Sequence, residues 1–260
     1  MTGESAVRVA LVYPELLGTY GDGGNAEVLA GRLRWRGLPV EVVRVPAGAA
    51  VPAGCDVYLL GGGEDEPQVA ATEALRAGSA LRAAVEGGAV VLAVCAGFQV
   101  VGESFPGADG VLHDGLGLLG VRTRRTLADA GPPPPRAVGD LAVRPDPVAL
   151  HGAALPVLTG YENHGGRTQP LPGAAGRPLG TVVLGTGNGT PDRAEGWVAD
   201  VGRGRVLATY LHGPALAQNP ALADLVAGWA VGRPLPPLPG PDPAEPLRLA
   251  RLRQLHLAGT

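Results

Sequence analysis

Residues 89–94 are apolar at every position and lead directly into Cys95, Ala96 and Gly97. A strand without a polar face must be covered on both sides, which is the environment of a central strand in a parallel sheet. The crossover connections of such a sheet place helices on its two faces. The sequence therefore predicts an α/β protein with a mostly parallel central sheet flanked by helices.

The same alternation of strand and helix patterns runs through most of the chain. Runs rich in β-branched residues predict strands at 7–13, 39–45, 56–60, 157–161, 181–184, 196–200 and 205–210. Apolar residues at helical spacing predict helices at 25–36, 68–86 (with a break near Gly78) and 220–231. Residues 18–24 are rich in glycine and are interpreted as a loop.

Two segments lack these patterns. Residues 128–156 contain a run of four prolines and are interpreted as an insertion or surface loop. Seven of the thirteen residues at 234–246 are proline, which predicts a stiff extended arm. We therefore expect one domain over 1–232, followed by a proline-rich arm and C-terminal segment over 233–260. Leucines and arginines at 247–257 favour a helix, interpreted either as a self-packed or floppy tail or as a docking helix for a partner.

Composition excludes several classes of function. The balance of 21 basic and 24 acidic residues gives a net charge of −3, which argues against a nucleic-acid or anionic-membrane partner. Every basic residue is arginine, so Walker A, Schiff-base and kinase-type lysines are excluded, and ATP-driven chemistry would lie on another chain. Two cysteines are too few for a disulfide framework or a zinc site. We expect a cytoplasmic chain without a cofactor.

Cys95 is the candidate nucleophile. It stands where the buried strand predicted at 89–94 meets a helical pattern, between small neighbours. A nucleophile elbow needs this arrangement, because bulky flanking residues clash in its tight turn and the helix N-terminus presents free N–H groups to an oxyanion. A buried structural cysteine is the alternative for Cys95, and it is the preferred interpretation of Cys55.

His212 is the candidate base. It follows the strand predicted at 205–210 and precedes Gly213, so it also emerges at the carboxyl edge of the sheet, where parallel-sheet proteins bind ligands. His164, in a glycine-rich loop, is the weaker candidate. The Gly61-Gly62-Gly63 turn would let a backbone N–H reach the same edge and complete an oxyanion hole with Ala96.

Together these residues resemble the class I, triad-type glutamine amidotransferases, whose C-x-G-x-Q motif is matched by Cys95, Gly97 and Gln99. Motifs at 13–25, 61–65, 160–168 and 210–214 are similar to the cobyric-acid-synthase-like subfamily, and most of all to its GatD-type glutaminase subunits of lipid II isoglutaminyl synthases. The resemblance covers about residues 7–231 and implies the flavodoxin-like fold of class I glutaminases.

The resemblance implies roles for individual residues. Cys95 would be the nucleophile and His212 the general base and then acid. The N–H of Ala96, with that of Gly62 or Gly63, would form the oxyanion hole. Gln99 would contact the bound glutamine, and Arg167 would either meet the glutamine carboxylate or brace its own loop.

The resemblance also implies a partner. A Mur-ligase-like, ATP-dependent synthetase of the MurT type would form a heterodimer with the chain and use its ammonia to amidate D-glutamate of the lipid II stem peptide. A subunit of cobyrinic or cobyric acid amidation, and a non-catalytic regulatory module of the same fold, are the alternatives.

The third member of the triad is not evident from the sequence. Many class I amidotransferases place a glutamate two residues after the histidine, and here that position is Pro214. Glu162 is the candidate within the chain, although it could equally brace its loop. An acid contributed by the partner synthetase is the other hypothesis.

Overall fold

The computed structural model describes residues 5–126 and 134–257. Its strands are β1 (Val7–Val12), β2 (Val40–Val45), β3 (Val57–Leu60), β4 (Val90–Val94), β5 (Ser104–Pro106), β6 (Leu112–Asp114), β7 (Val121–Arg124), β8 (Ala137–Pro145), β9 (Leu158–His164), β10 (Arg167–Pro170), β11 (Gly180–Leu184), β12 (Ala194–Glu195), β13 (Trp197–Val201) and β14 (Gly204–Thr209). Its helices are α1 (Gly24–Arg34), α2 (Asp65–Arg76), α3 (Ala80–Gly87), α4 (Ala96–Val101), α5 (Ala215–Gln218), α6 (Pro220–Ala230) and α7 (Glu245–Gln254).

The central sheet has six strands in the order β13-β14-β4-β3-β1-β2. The strands from β14 to β2 pair in parallel, and β13 joins the edge antiparallel. All five residues of β4 are buried, because β3 and β14 flank the strand and helices cover its faces. The predicted α/β class with a mostly parallel sheet is therefore confirmed. No helix within the described ranges is long and apolar enough to span a bilayer.

Two smaller four-stranded sheets accompany the central one, in the orders β10-β7-β5-β6 and β12-β11-β8-β9. The second sheet corrects the interpretation of 128–156 as a loop, since the nine-residue strand β8 lies within it. Leu141 and Val143 of β8 belong to the main core, whereas Ala142 packs with Leu252 of α7. Burial on both faces removes the alternation of polar and apolar residues by which a strand is recognised. The part of the segment at 127–133 lies outside the described residues.

The C-terminal arm folds back onto the domain. Arg32 of α1 is almost fully buried, and its guanidinium lies 2.8 Å from Asp242 of the arm and 2.6 Å from Asp224 of α6. Beyond the arm, α7 buries Leu252 and pairs Arg251 with Asp140 of β8. The tail is therefore packed on its own domain, which agrees with the self-packed interpretation of residues 247–257.

Candidate active site

Cys95 forms the sharp turn between β4 and α4. Its backbone has φ +52° and ψ −102°, a conformation that costs energy in a residue with a side chain. The turn packs closely on β3, since a Cβ added at Gly97 would lie 2.4 Å from the carbonyl oxygen of Leu60. This is the geometry of a nucleophile elbow, with the Cys95 side chain at the carboxyl edge of the sheet and the first N–H groups of α4 beside it.

His212 follows β14 at the same edge. Its backbone N–H donates to Tyr161 O at 2.9 Å, which ties the residue to β9. Its buried imidazole stacks on Tyr161, with 5.2 Å between ring centroids and 21° between ring planes, and Tyr20 lies 4.8 Å away. The ring orientation is therefore fixed by packing as well as by hydrogen bonding.

An acid within the same chain contacts this histidine. His212 Nδ1 lies 3.0 Å from Asp22 Oδ2, and both side chains are inaccessible to solvent. Asp22 Oδ2 also accepts a hydrogen bond from Gly62 N–H at 2.8 Å. An acid and a histidine in this arrangement leave Nε2 for proton transfer, and Nε2 has no hydrogen-bond partner among the described residues.

The environment of His212 favours its protonated form. Burial lowers the pKa of the imidazole, but the hydrogen bond to Asp22, the nearby Cys95 sulfur and the charges of both groups outweigh burial and raise the pKa to about 9. A neighbouring carboxylate and thiolate both stabilise an imidazolium. Asp22, His212 and Cys95 thus form one electrostatically coupled group.

Glu162 does not contact His212, and of the two roles considered for it the structure supports the bracing of a loop. Its carboxylate accepts hydrogen bonds from the backbone N–H groups of Thr186 and Gly187 at 2.7 and 2.9 Å and lies 3.2 Å from His164 Nε2. His164 itself stacks on Tyr210 at 3.8 Å. Burial lowers the pKa of His164 despite its contact with Glu162. These two residues brace the loops around the site.

The residues predicted to form the oxyanion hole differ in whether they line the cavity beside Cys95. Ala96 and Gly63 line a cavity beside Cys95. Gly62 does not line this cavity, and its N–H is engaged by Asp22. A Cβ added at Gly62 would lie 2.5 Å from His212 Cε1, so this glycine is required by close packing against the imidazole. The N–H of Gly62 is therefore already occupied, and Ala96 and Gly63 stay the candidates for the oxyanion hole.

The cavity beside Cys95 is small, about 30 Å³, which is the space of a single water molecule. Gln99 lines it, with Oε1 accepting a hydrogen bond from Gln68 at 3.0 Å, and its contact with glutamine stays a prediction. Arg125 and Arg136 also line it. Arg136 donates to Asn163 Oδ1 at 2.6 Å and to Asn163 O at 3.0 Å, and Asn163 lines the cavity as well.

Arg167 lies away from this cavity. Its guanidinium is buried and donates to the backbone oxygens of Gly166 and Pro135 at 3.0 and 3.1 Å. Of the two roles considered for Arg167, the structure supports the bracing of its loop. The described residues contain no group of three histidine, cysteine or acidic side chains arranged to hold a metal ion.

Sequence reasoning missed Asp22, Arg125 and Arg136. A signal for Asp22 was present, because it stands between glycines in the loop that follows β1 and so comes from the same edge of the sheet as Cys95. The arginines follow β7 and precede β8, in a region where no strand was predicted.

Comparisons with known proteins show what this chain is similar to. A family model of the CobB/CobQ-like glutamine amidotransferase domain matches residues 8–220. The lipid II isoglutaminyl synthase (glutamine-hydrolyzing) subunit GatD of Staphylococcus aureus (strain N315) is 33% identical over 219 residues, which cover 84% of this chain and 81% of that protein. A cobyric acid synthase of Jannaschia sp. (strain CCS1) is 33% identical over 180 residues, which cover 67% of this chain and 32% of that protein. Among solved structures, the acivicin-bound glutaminase domain of Trypanosoma brucei CTPS aligns with a TM-score of 0.48 and 16% identity, over 88% of this chain and 95% of that chain.

Proposed function

The chain belongs to the CobB/CobQ-like glutamine amidotransferase family, and from this premise we propose that it hydrolyses L-glutamine and supplies ammonia to a Mur-ligase-like synthetase that amidates D-glutamate of the lipid II stem peptide. The observation that carries the hydrolytic step is the buried contact of His212 with Asp22 beside the elbow residue Cys95.

The chemistry follows from these three side chains. The thiol proton of Cys95 passes to His212, and the thiolate attacks the side-chain amide carbon of glutamine. The N–H groups of Ala96 and Gly63 stabilise the resulting oxyanion. His212 then gives its proton to the departing nitrogen, and ammonia leaves behind a glutamyl thioester. Water, deprotonated by His212, hydrolyses the thioester to glutamate and restores the thiol. Asp22 holds the imidazole in position and stabilises its charge throughout.

Two polar groups in the cavity suit the α-amino acid part of glutamine. Arg136 carries a guanidinium whose hydrogen bonds, among residues 5–126 and 134–257, go to the neutral residue Asn163, and a guanidinium pairs well with a carboxylate. Gln99 offers a side-chain amide in the lining of the same cavity.

The synthetase assignment is supported by composition and by coverage. A chain without lysine lacks the residue that ATP-activating sites use, so the acceptor carboxylate is activated on a partner. The match to the GatD subunit covers 84% of this chain and the match to the cobyric acid synthase covers 67% of it, which favours a GatD-like glutaminase working with a MurT-like protein in a heterodimer.

Reconstitution with a Mur-ligase-like synthetase tests the proposal. With glutamine as the nitrogen source, the wild-type complex amidates the stem peptide, whereas a Cys95→Ala complex loses this activity. With ammonium as the source, both complexes amidate it, because the variant lacks only the ammonia supply. Glutamine hydrolysis that survives Cys95→Ala would contradict the proposed nucleophile. Amidation of a cobyrinic or cobyric acid substrate instead of the stem peptide would contradict the proposed acceptor.

A further inference from the structure

A second cavity, of about 640 Å³, lies at the edge of the central sheet opposite Cys95. Val90 and Gly204, the first residues of β4 and β14, form part of its wall. Cys95 follows the other end of β4, so the residues of that strand, at about 3.3 Å each, separate the two cavities by about 13 Å or more. The cavity is thus distinct from the proposed glutamine site, and its volume is typical of a pocket for an organic ligand.

Positive charge is concentrated at this cavity. Arg203, Arg205 and Arg233 line it together with His151. Asp200 Oδ1 lies 3.2 Å from Arg205 Nε and 3.3 Å from His151 Nε2, so one exposed carboxylate is shared between two of these groups. Arg203 is exposed and donates to the backbone oxygen of Gly87 at 2.9 Å, and it forms no ion pair with a carboxylate of the described residues. Arginine side chains thus line this cavity in a chain whose net charge is −3.

The cavity also has an aromatic and aliphatic wall. The guanidinium carbon of Arg205 lies 5.1 Å from the ring centroid of Trp229, and the His151 ring meets that tryptophan edge-on at 5.9 Å. Leu150 and Leu225 extend the apolar lining. An apolar wall next to planar guanidinium groups suits a molecule that has both a flat ring and a phosphate. The wall packs against the ring, and a guanidinium forms bidentate hydrogen bonds with phosphate oxygens.

We propose that this cavity binds an organic phosphate that carries a planar ring and has the size of a nucleoside diphosphate. Arg203 and Arg205 bind the phosphate oxygens, and the wall formed by Trp229 and Leu225 accepts the ring. The proposal does not rest on glutamine hydrolysis, since none of these residues belongs to the group around Cys95.

Titration calorimetry with ADP as the probe, at low salt because exposed charges are screened, tests this site. We expect the double variant Arg203→Gln/Arg205→Gln to bind ADP about tenfold more weakly or worse, because two charge-assisted hydrogen bonds are lost. The control, Arg34→Gln/Arg44→Gln, removes the same charge at exposed arginines outside the cavity and leaves the affinity within about twofold.

Two further probes separate the parts of the ligand. Adenosine lacks the phosphate and inorganic pyrophosphate lacks the ring, and each should bind about tenfold more weakly than ADP. The single variant Arg203→Gln keeps the contact of Arg205 with Asp200, so it tests the phosphate contact even if the double variant fails to fold. No binding of ADP at millimolar concentration, an equal loss in the control pair, or pyrophosphate binding as tight as that of ADP would each overturn the proposal.

Discussion

His212 Nδ1 and Asp22 Oδ2 lie 3.0 Å apart in the interior, although 190 positions separate the two residues in the chain. The contact depends on topology, because β1 and β14 end at the same edge of the sheet and deliver the two loops there. The position at Nδ1 that a partner's acid was expected to fill is therefore occupied by an acid of the same chain. This places the complete acid–base pair of the proposed reaction within one polypeptide.

Gly62→Ala should damage the site with little effect on the fold elsewhere. The added methyl group would lie 2.5 Å from His212 Cε1, so the imidazole or the loop must move. Displacement of a general base by about 1 Å lowers kcat by about 100-fold. Gly78→Ala is the matched control, since its added Cβ meets no atom within 4 Å. Glutaminase assays in which both variants keep wild-type kcat would show that the close packing of Gly62 does not matter.

Glu195→Gln should change how stability depends on pH. Burial raises the pKa of this carboxyl to about 7, against the hydrogen bonds that it accepts from Tyr210 N–H and Thr209. Its folded pKa lies above the unfolded value of about 4.5, so the stabilisation from the bound proton is full below pH 4.5 and is lost as the pH rises through 7. Denaturation experiments on the wild type should show that the free energy of unfolding declines between pH 5 and 7, by on the order of 1 kcal/mol per pH unit from this group.

Glu195→Gln replaces the carboxyl group with an amide that does not titrate. The free energy of unfolding of this variant should therefore lack the decline. Glu66→Gln, at an exposed position, should retain it. If the free energy of unfolding of Glu195→Gln and of the wild type changed with pH in the same way, the raised pKa of Glu195 would be contradicted.

Leu252→Ala should destabilise the domain, because this side chain packs against Ala142 and Val157 beneath α7. Loss of a buried leucine of this kind costs about 2 kcal/mol or more, which corresponds to a fall in Tm of about 4 °C or more in a chain of this size. Leu249→Ala, on the exposed side of α7, is the control and should leave Tm within about 1 °C. An unchanged Tm in Leu252→Ala would mean that the tail does not support the fold in solution.

These elements show what the sequence could predict. The apolar run that becomes β4 and the small residues around Cys95 are local patterns, and both the central sheet and the elbow were predicted from them. The strand β8 was missed because α7 covers its second face, a contact made by residues more than one hundred positions away. The role of Asp22 was missed for the same physical reason, since its partner His212 is brought to it only by the order of strands in the sheet.

The central claim is that Asp22, His212 and Cys95 act together within this chain. The measurement that tests it most directly is the pH dependence of glutamine hydrolysis by the purified chain and by its Asp22→Asn variant. With the pKa of His212 raised to about 9, wild-type activity should decline as the pH rises through about 9, where the proton needed by the leaving nitrogen is lost.

Asp22→Asn removes the charge that contributes to this high pKa and leaves the side chain the same size. Its kcat should fall by about 100-fold or more, with little change in KM, and its alkaline decline should move to lower pH. Glu162→Gln should leave that decline in place, because Glu162 braces a neighbouring loop. A purified wild-type chain without glutaminase turnover, or an Asp22→Asn variant with the wild-type rate and pH profile, would contradict the claim.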